Sequence, residues 1–162
     1  MSEMFSGWDS LIPLDLSSFN TYNVRSNYFM FNNVNLTSLD LTNFNTSIIS
    51  NMQGMFNGSK YLISLYLSSF NTSRVKDMRN IFRGCNSLLS LNLSNFDTTS
   101  ASCGGMFYNC ISLKLLVLSN SKFDICKGDY YHNMFDDSNS IISIDLLNIL
   151  IYIYFGNIIF NL

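Results

Sequence analysis

The sequence predicts an α/β repeat protein: a solenoid with a parallel β-sheet on one face and short helices on the other, of about five full repeats plus partial ends. Three observations carry that reading. The pattern L-x-x-L-x-L recurs along the chain. A Phe and an Asn-Thr or Asp-Thr pair follow it at fixed offsets. A second apolar stripe, at helical spacing, then separates each copy from the next.

The Leu pattern falls at Leu11-Leu14-Leu16, Leu36-Leu39-Leu41, Leu62-Leu65-Leu67, Leu88-Leu91-Leu93 and Leu113-Leu116-Leu118, and returns as Ile141-Ile144-Leu146. Its first positions are spaced by 25, 26, 26, 25 and 28 residues. Phe19, Phe44, Phe70 and Phe96 follow, each leading into Asn20-Thr21, Asn45-Thr46, Asn71-Thr72 or Asp97-Thr98. In "LYLSSF" the alternation of Leu65 and Leu67 with Tyr66 and Ser68 has the period of a strand with one buried face. Such a short strand needs a partner, and identical units stacked in one direction make the pairing parallel. Val75, Met78, Ile81, Phe82 and Cys85 then mark one face of a helix of about three turns. Thr72 or Ser73 stands where a helix N-cap is expected, and Gly84 where a helix ends.

The 162 residues suffice for one sizeable core, and only 12% of them are charged. A net charge of −2 leaves no electrostatic footprint for nucleic acid. The opening "MSEMFSGWDS" has neither a basic n-region nor an apolar h-region, so no signal peptide is expected. On that reading the protein stays inside the cell or the chain is a piece of something longer. The reading places one domain at 1–146. Residues 147–162 are read as an apolar cap, edge strand or degenerate tail, with membrane association the less favoured reading because Asn148, Gly156 and Asn157 interrupt the tail.

Cys85 and Cys110 hold equivalent places and are expected to stack as small buried side chains. A disulfide between neighbouring coils is geometrically open. Trp8 falls in their column and is placed to cover the first coil. The lone His132, six residues from Cys126, has no orienting third group. No phosphate loop, HExxH or GxSxG is present, so neither catalysis nor a cofactor nor a metal is expected.

The segments "LTSLDLTNFNTS", "NMQGMFNGS", "LLSLNLSNFDT" and "GGMFYNCISL" resemble the BspA-like leucine-rich repeat family, over roughly residues 4 to 146. The resemblance implies a leucine-rich-repeat solenoid. It also implies a surface protein that binds other proteins and mediates adhesion, which the missing export signal does not match. Two further departures are Ser100 in place of a Val and an insertion around Ser121-Lys122.

If the strands stack, one exposed position per repeat lines up on the concave sheet face: Asp15, Asp40, Tyr66, Asn92, Val117 and Asp145. Beside it run Ser17, Thr42, Ser68, Ser94 and Ser119. Tyr66 is the amphipathic anchor of this array, and the expected partner is a protein, with a glycan as the second option. The competing readings are a solvated sheet face with no ligand, and a spacer or fragment of a larger repeat protein. Arg74, Lys76, Arg79 and Arg83 read as a solvated basic surface around Asp77, with binding of an anionic partner as the second reading.

Overall fold

The structure, a computed structural model, describes residues 1–9, 14–119, 121–122, 133–141 and 143–145. The expected tail at 147–162, and with it Leu11, Cys126, His132 and Leu146, lies outside the described residues. Among the described residues the strands are five, each of three residues: β1 (Ser38–Asp40), β2 (Ser64–Tyr66), β3 (Ser90–Asn92), β4 (Leu115–Val117) and β5 (Ser143–Asp145). They form a two-stranded sheet, β1-β2, and a three-stranded sheet, β3-β4-β5. Every pair is parallel, with Leu39 opposite Leu65 and Leu91 opposite Leu116.

The α/β solenoid with helices is overturned, because the described residues contain no α-helix. The reason is backbone handedness. A left-handed residue occurs every four positions where the helices were expected, as the pairs Glu3/Gly7, Phe29/Asn33, Gly54/Gly58, Asn80/Gly84 and Gly105/Asn109. A right-handed helix cannot propagate through such residues, so each turn closes on itself. The resulting ribbon alternates two kinds of hydrogen bond. Met55, Asn57 and Ser59 donate their N–H three residues back, to Met52, Gly54 and Phe56. Met52, Gly54, Phe56 and Gly58 donate instead to the next repeat, at Asp77, Arg79, Ile81 and Arg83. Every backbone donor in this run is satisfied without a helix, as a buried backbone requires.

The apolar stripe at offsets of three and four is nevertheless buried, because successive closed turns return the chain to the same side. Phe5, Phe31, Phe56, Phe82, Phe107 and Phe135 stack ring on ring, with centroids 5.3, 5.9, 5.6, 5.7 and 5.0 Å apart. Each such contact adds about 0.5–1.5 kcal/mol to the burial of the ring itself. Leu41, Leu67, Leu93 and Leu118 line the strand side of the same core, and Phe44, Phe70 and Phe96 lie after them. Trp8 takes the place of Cys85 and Cys110 in the backbone, its N–H bonding the Phe5 carbonyl as theirs bond Phe82 and Phe107, but its ring is exposed and meets Phe5 edge-on at the open end of the stack.

Polar columns lock neighbouring repeats together. Thr72 is not a helix cap but a buried clamp: its Oγ1 donates to the Asp97 carbonyl (2.9 Å) and accepts the Asp97 N–H (2.7 Å). Thr21 and Thr46 repeat this toward Asn45 and Asn71. Asn45, Asn71 and Asp97 each accept the N–H two residues on, which fixes the turn that follows. The fourth repeat keeps its small apolar position at Ala101, not at Ser100. Ala101 is buried and bonds Thr98 as Val75 bonds Thr72. At the start of the expected insertion Lys122 pairs with Asp97 in a parallel bridge, and residues 123–132 lie outside the described residues.

Candidate partner-binding face

Strand alternation turns Leu65 and Leu91 inward and leaves Tyr66 and Asn92 outward, which builds the expected array only in part. Asp40 stands opposite Tyr66, Asn92 opposite Val117, and Val117 opposite Asp145 in the backbone register. Asp15 is exposed but lies outside any strand. Tyr66, Asn92 and Ser68 are exposed, while Val117 and Ser94 are half-buried.

Three members of the column also have a local duty. Asp15 accepts the Ser17 N–H, Asp40 the Thr42 N–H and Asn92 the Ser94 N–H, at 2.9, 2.9 and 3.0 Å. These bonds close the turn after each strand position. The backbone donors at Ser17 and Thr42, helped by the hydroxyls of the same residues, hold the Asp15 and Asp40 carboxyls below their ordinary value.

The array is divided by a seam. Ile63 and Lys114 donate across their ladders to Thr37 and Leu89, and Leu41 and Leu93 donate to Tyr66 and Val117. No ladder joins β2 to β3, and the counterpart bonds from Leu89 to Ile63 and from Leu67 to Asn92 are not formed. The amide of Asn95 bridges the lower end of this seam by donating to the carbonyls of Leu67, Ser68 and Phe70. Above it opens a cleft of about 220 Å³ between Tyr66 and Ser68 on one side and Asn92 and Ser94 on the other. A second cleft, of about 210 Å³, lies between Asp15 and Asp40.

Sequence reasoning missed the apolar rim. Ile63, Leu89 and Leu115 are 44%, 47% and 40% exposed, close to the 53% of Tyr66. Leu115 was legible, since it takes the place that Ser38, Ser64 and Ser90 occupy in the other repeats. Ile63 and Leu89 directly follow the buried Leu62 and Leu88, so adjacency to the Leu pattern concealed them.

Other candidates are absorbed by structure. Cys85 and Cys110 are free, buried thiols that donate to the Phe56 and Phe82 carbonyls at 3.2 and 3.0 Å. Burial pushes the Cys85 thiol well up and the Cys110 thiol to about 12, so neither forms a nucleophilic thiolate near neutral pH. Cys103 is disulfide-bonded. The basic segment is no helix face: Arg79 forks onto Asp77 at 3.0 and 2.6 Å, and Arg83 lies 4.1 Å from the centroid of the Tyr108 ring.

These features define a repeat protein whose successive units bond side by side, with no α-helix among the described residues. The chain belongs to the family described as Mycoplasma protein of unknown function, DUF285, whose model matches residues 1–60 and 26–146. None of the curated proteins and none of the solved structures compared with it matches the chain.

Proposed function

We propose that this chain is a non-catalytic protein-binding module that recognises a partner through the exposed strand face around Tyr66. The observation that carries the reading is the apolar rim. Ile63, Tyr66, Leu89 and Leu115 stand exposed on neighbouring repeats, where a soluble monomer gains nothing by exposing them. Tyr66, flanked in its cleft by Ser68, Asn92 and Ser94, forms an anchor inside a polar surround, the usual anatomy of a protein interface. A surface-adhesion role accords with the repeat columns shared with BspA-like surface proteins, and with the disulfide at Cys103, since disulfides persist in oxidising compartments.

The test is capture of surface proteins from a partner cell by the immobilised chain, with Tyr66→Ala and Leu89→Ser as comparison baits. Both residues are exposed, so the variants keep the fold, which circular dichroism checks. The reading expects a protein captured by the wild type and at least tenfold depleted with each variant. Equal recovery on all three baits refutes it.

A further inference from the structure

We propose that the seam between β2 and β3 is a sugar site, a cleft that takes one uncharged hexose ring. This rests on the reading that the strand face binds a partner, and it names the chemistry that the partner presents.

The cleft exists because the ladder stops. In the β1–β2, β3–β4 and β4–β5 ladders the neighbouring repeat takes up backbone donors and acceptors, but across this seam no bond joins Leu67 to Asn92. A ligand seated there meets main-chain polar groups as well as side chains. The volume, about 220 Å³, is below the ~300 Å³ at which pockets for drug-sized ligands begin, so one ring fits and a long ligand does not.

The lining decides the chemical class. Its polar residues are Thr42, Tyr66, Ser68, Asn92, Ser94 and Asn95, over a floor of Leu65 and Leu67. None carries a charge at neutral pH, so a phosphate, carboxylate or ammonium would lose its hydration without gaining a counter-ion. A wholly apolar ligand would leave the amides and hydroxyls unpaired. A sugar matches both parts. Its C–H face packs on the exposed ring of Tyr66, and its hydroxyls pair with the amide and hydroxyl groups around it.

Local bonding leaves those groups available in a mixed set. Asn92 commits its Oδ1 to the Ser94 N–H and so presents its Nδ2 as a donor. Asn95 commits its Nδ2 to three carbonyls and so presents its Oδ1 as an acceptor. The cleft between Asp15 and Asp40 has the same turn geometry but contains two carboxylates and no aromatic ring, and it serves as an internal contrast.

The test uses saturation-transfer NMR on the full chain with methyl glucoside, galactoside, mannoside and N-acetylglucosaminide as probes. At least one should receive saturation on its ring C–H protons, with a dissociation constant of about 1 mM, as suits one small ring. Tyr66→Ala should abolish the signal and Asn92→Ala should weaken binding at least tenfold. Tyr22→Ala, an exposed aromatic outside both the cleft lining and the apolar rim, should leave it unchanged. A second arm treats the captured partner protein with glycosidases. Given a glycoside signal, loss of capture places the sugar on the protein, and unchanged capture assigns the site to a free glycan; either outcome supports the proposal. No signal from any glycoside, or an equal signal from Tyr66→Ala, overturns it. Protein capture that still depends on Leu89 would then leave the protein-binding reading standing by itself.

Discussion

Asn27→Met should stabilise the protein. The parallel bridges Ser26–Asn51, Asn51–Asp77 and Asp77–Ser102 set the register, so the residue after each falls in one column: Asn27, Met52, Met78 and Cys103. All four are buried, and only Asn27 carries an amide there. Its Nδ2 and Oδ1 are both buried with no hydrogen-bond partner, although its backbone N–H is held by Asn51. An amide buried unpaired costs about 1–3 kcal/mol, and burying a Met side chain gains about 1.5–3 kcal/mol. Against this stands the larger volume of Met, and overpacking costs about 1–3 kcal/mol where neighbours cannot yield. In this column Asn27 stands between Met1, whose amino group donates to the Ser26 carbonyl, and Met52, both flexible side chains, so the strain falls at the low end. The net expectation is a gain of about 1.5–5 kcal/mol, or roughly 3–20 °C in Tm for a chain of this size. Urea unfolding followed by circular dichroism measures it, with an unchanged m-value showing that the gain lies in stability alone. Asn27→Asp, which buries a carboxylate in the same place, should be less stable than the wild type. An Asn27→Met protein that melts at or below the wild-type temperature refutes the reasoning, because the amide must then be satisfied.

Thr72→Val keeps the shape of the side chain but removes both clamp bonds to Asp97; each stranded group costs about 1–3 kcal/mol, so denaturant unfolding should show a loss of about 2–6 kcal/mol. Thr72→Ser should lose much less. Gly54→Ala forces a side chain into φ +60° and puts its Cβ 2.6 Å from the Phe29 ring, so it should destabilise by more than the ~1–2 kcal/mol of a left-handed alanine. Pairing it with Phe29→Leu should recover the excess in a double-mutant cycle. The Asp15 and Asp40 carboxyls titrate below 3.8 in the folded chain, so their contribution to stability is present above that value and is lost as pH falls through the lower folded-state pKa. NMR titration of the two carboxyl carbons checks the direction. Cys85 and Cys110 should resist a thiol reagent at pH 8 and react only at the rate of unfolding; prompt labelling of the native protein contradicts their burial.

The register of this protein was legible in its sequence, and its backbone conformation was not. Leu65, Leu91 and Leu116 report burial through period-two alternation, and the recurrence of Phe-Asn-Thr reports which residues stack. Neither signal depends on what the chain does between strands. Val75, Met78, Ile81, Phe82 and Cys85 fit a helix because three-and-four spacing marks any ribbon that returns to one side once every few residues. The discriminating signal was the pair of small or amide residues four apart, Gly54 and Gly58 or Asn80 and Gly84. A helix interior disfavours Gly and Asn, whereas a left-handed position favours them. Read in that light, Gly84 is the second of two left-handed residues in the coil and not the end of a helix.

The site divides along the same line. Tyr66 and Asn92 are outward by alternation, so exposure at the central column followed from the sequence. The cleft between them did not, because it arises from a bond that fails to form between two strands whose sequences, Ser-Leu-Tyr and Ser-Leu-Asn, pair well elsewhere. The nearest visible cause is Asn95. Asn43 occupies its place one pair of strands earlier and donates to two carbonyls, Leu16 and Ser17. Ser69, between them, reaches the Leu41 and Phe44 carbonyls with one short hydroxyl, and the β1–β2 ladder is intact beside it. Asn95 instead spans three carbonyls of the preceding repeat, including Ser68 at the mouth of the cleft. Its longer side chain holds the two repeats together at the turn while the strands above stand unbridged. On this account Asn95→Ser, which restores the reach of Ser69, should close the seam, with amide hydrogen exchange slowing at Leu67 and Leu89. If exchange there stays fast, Asn95 is not what keeps the cleft open.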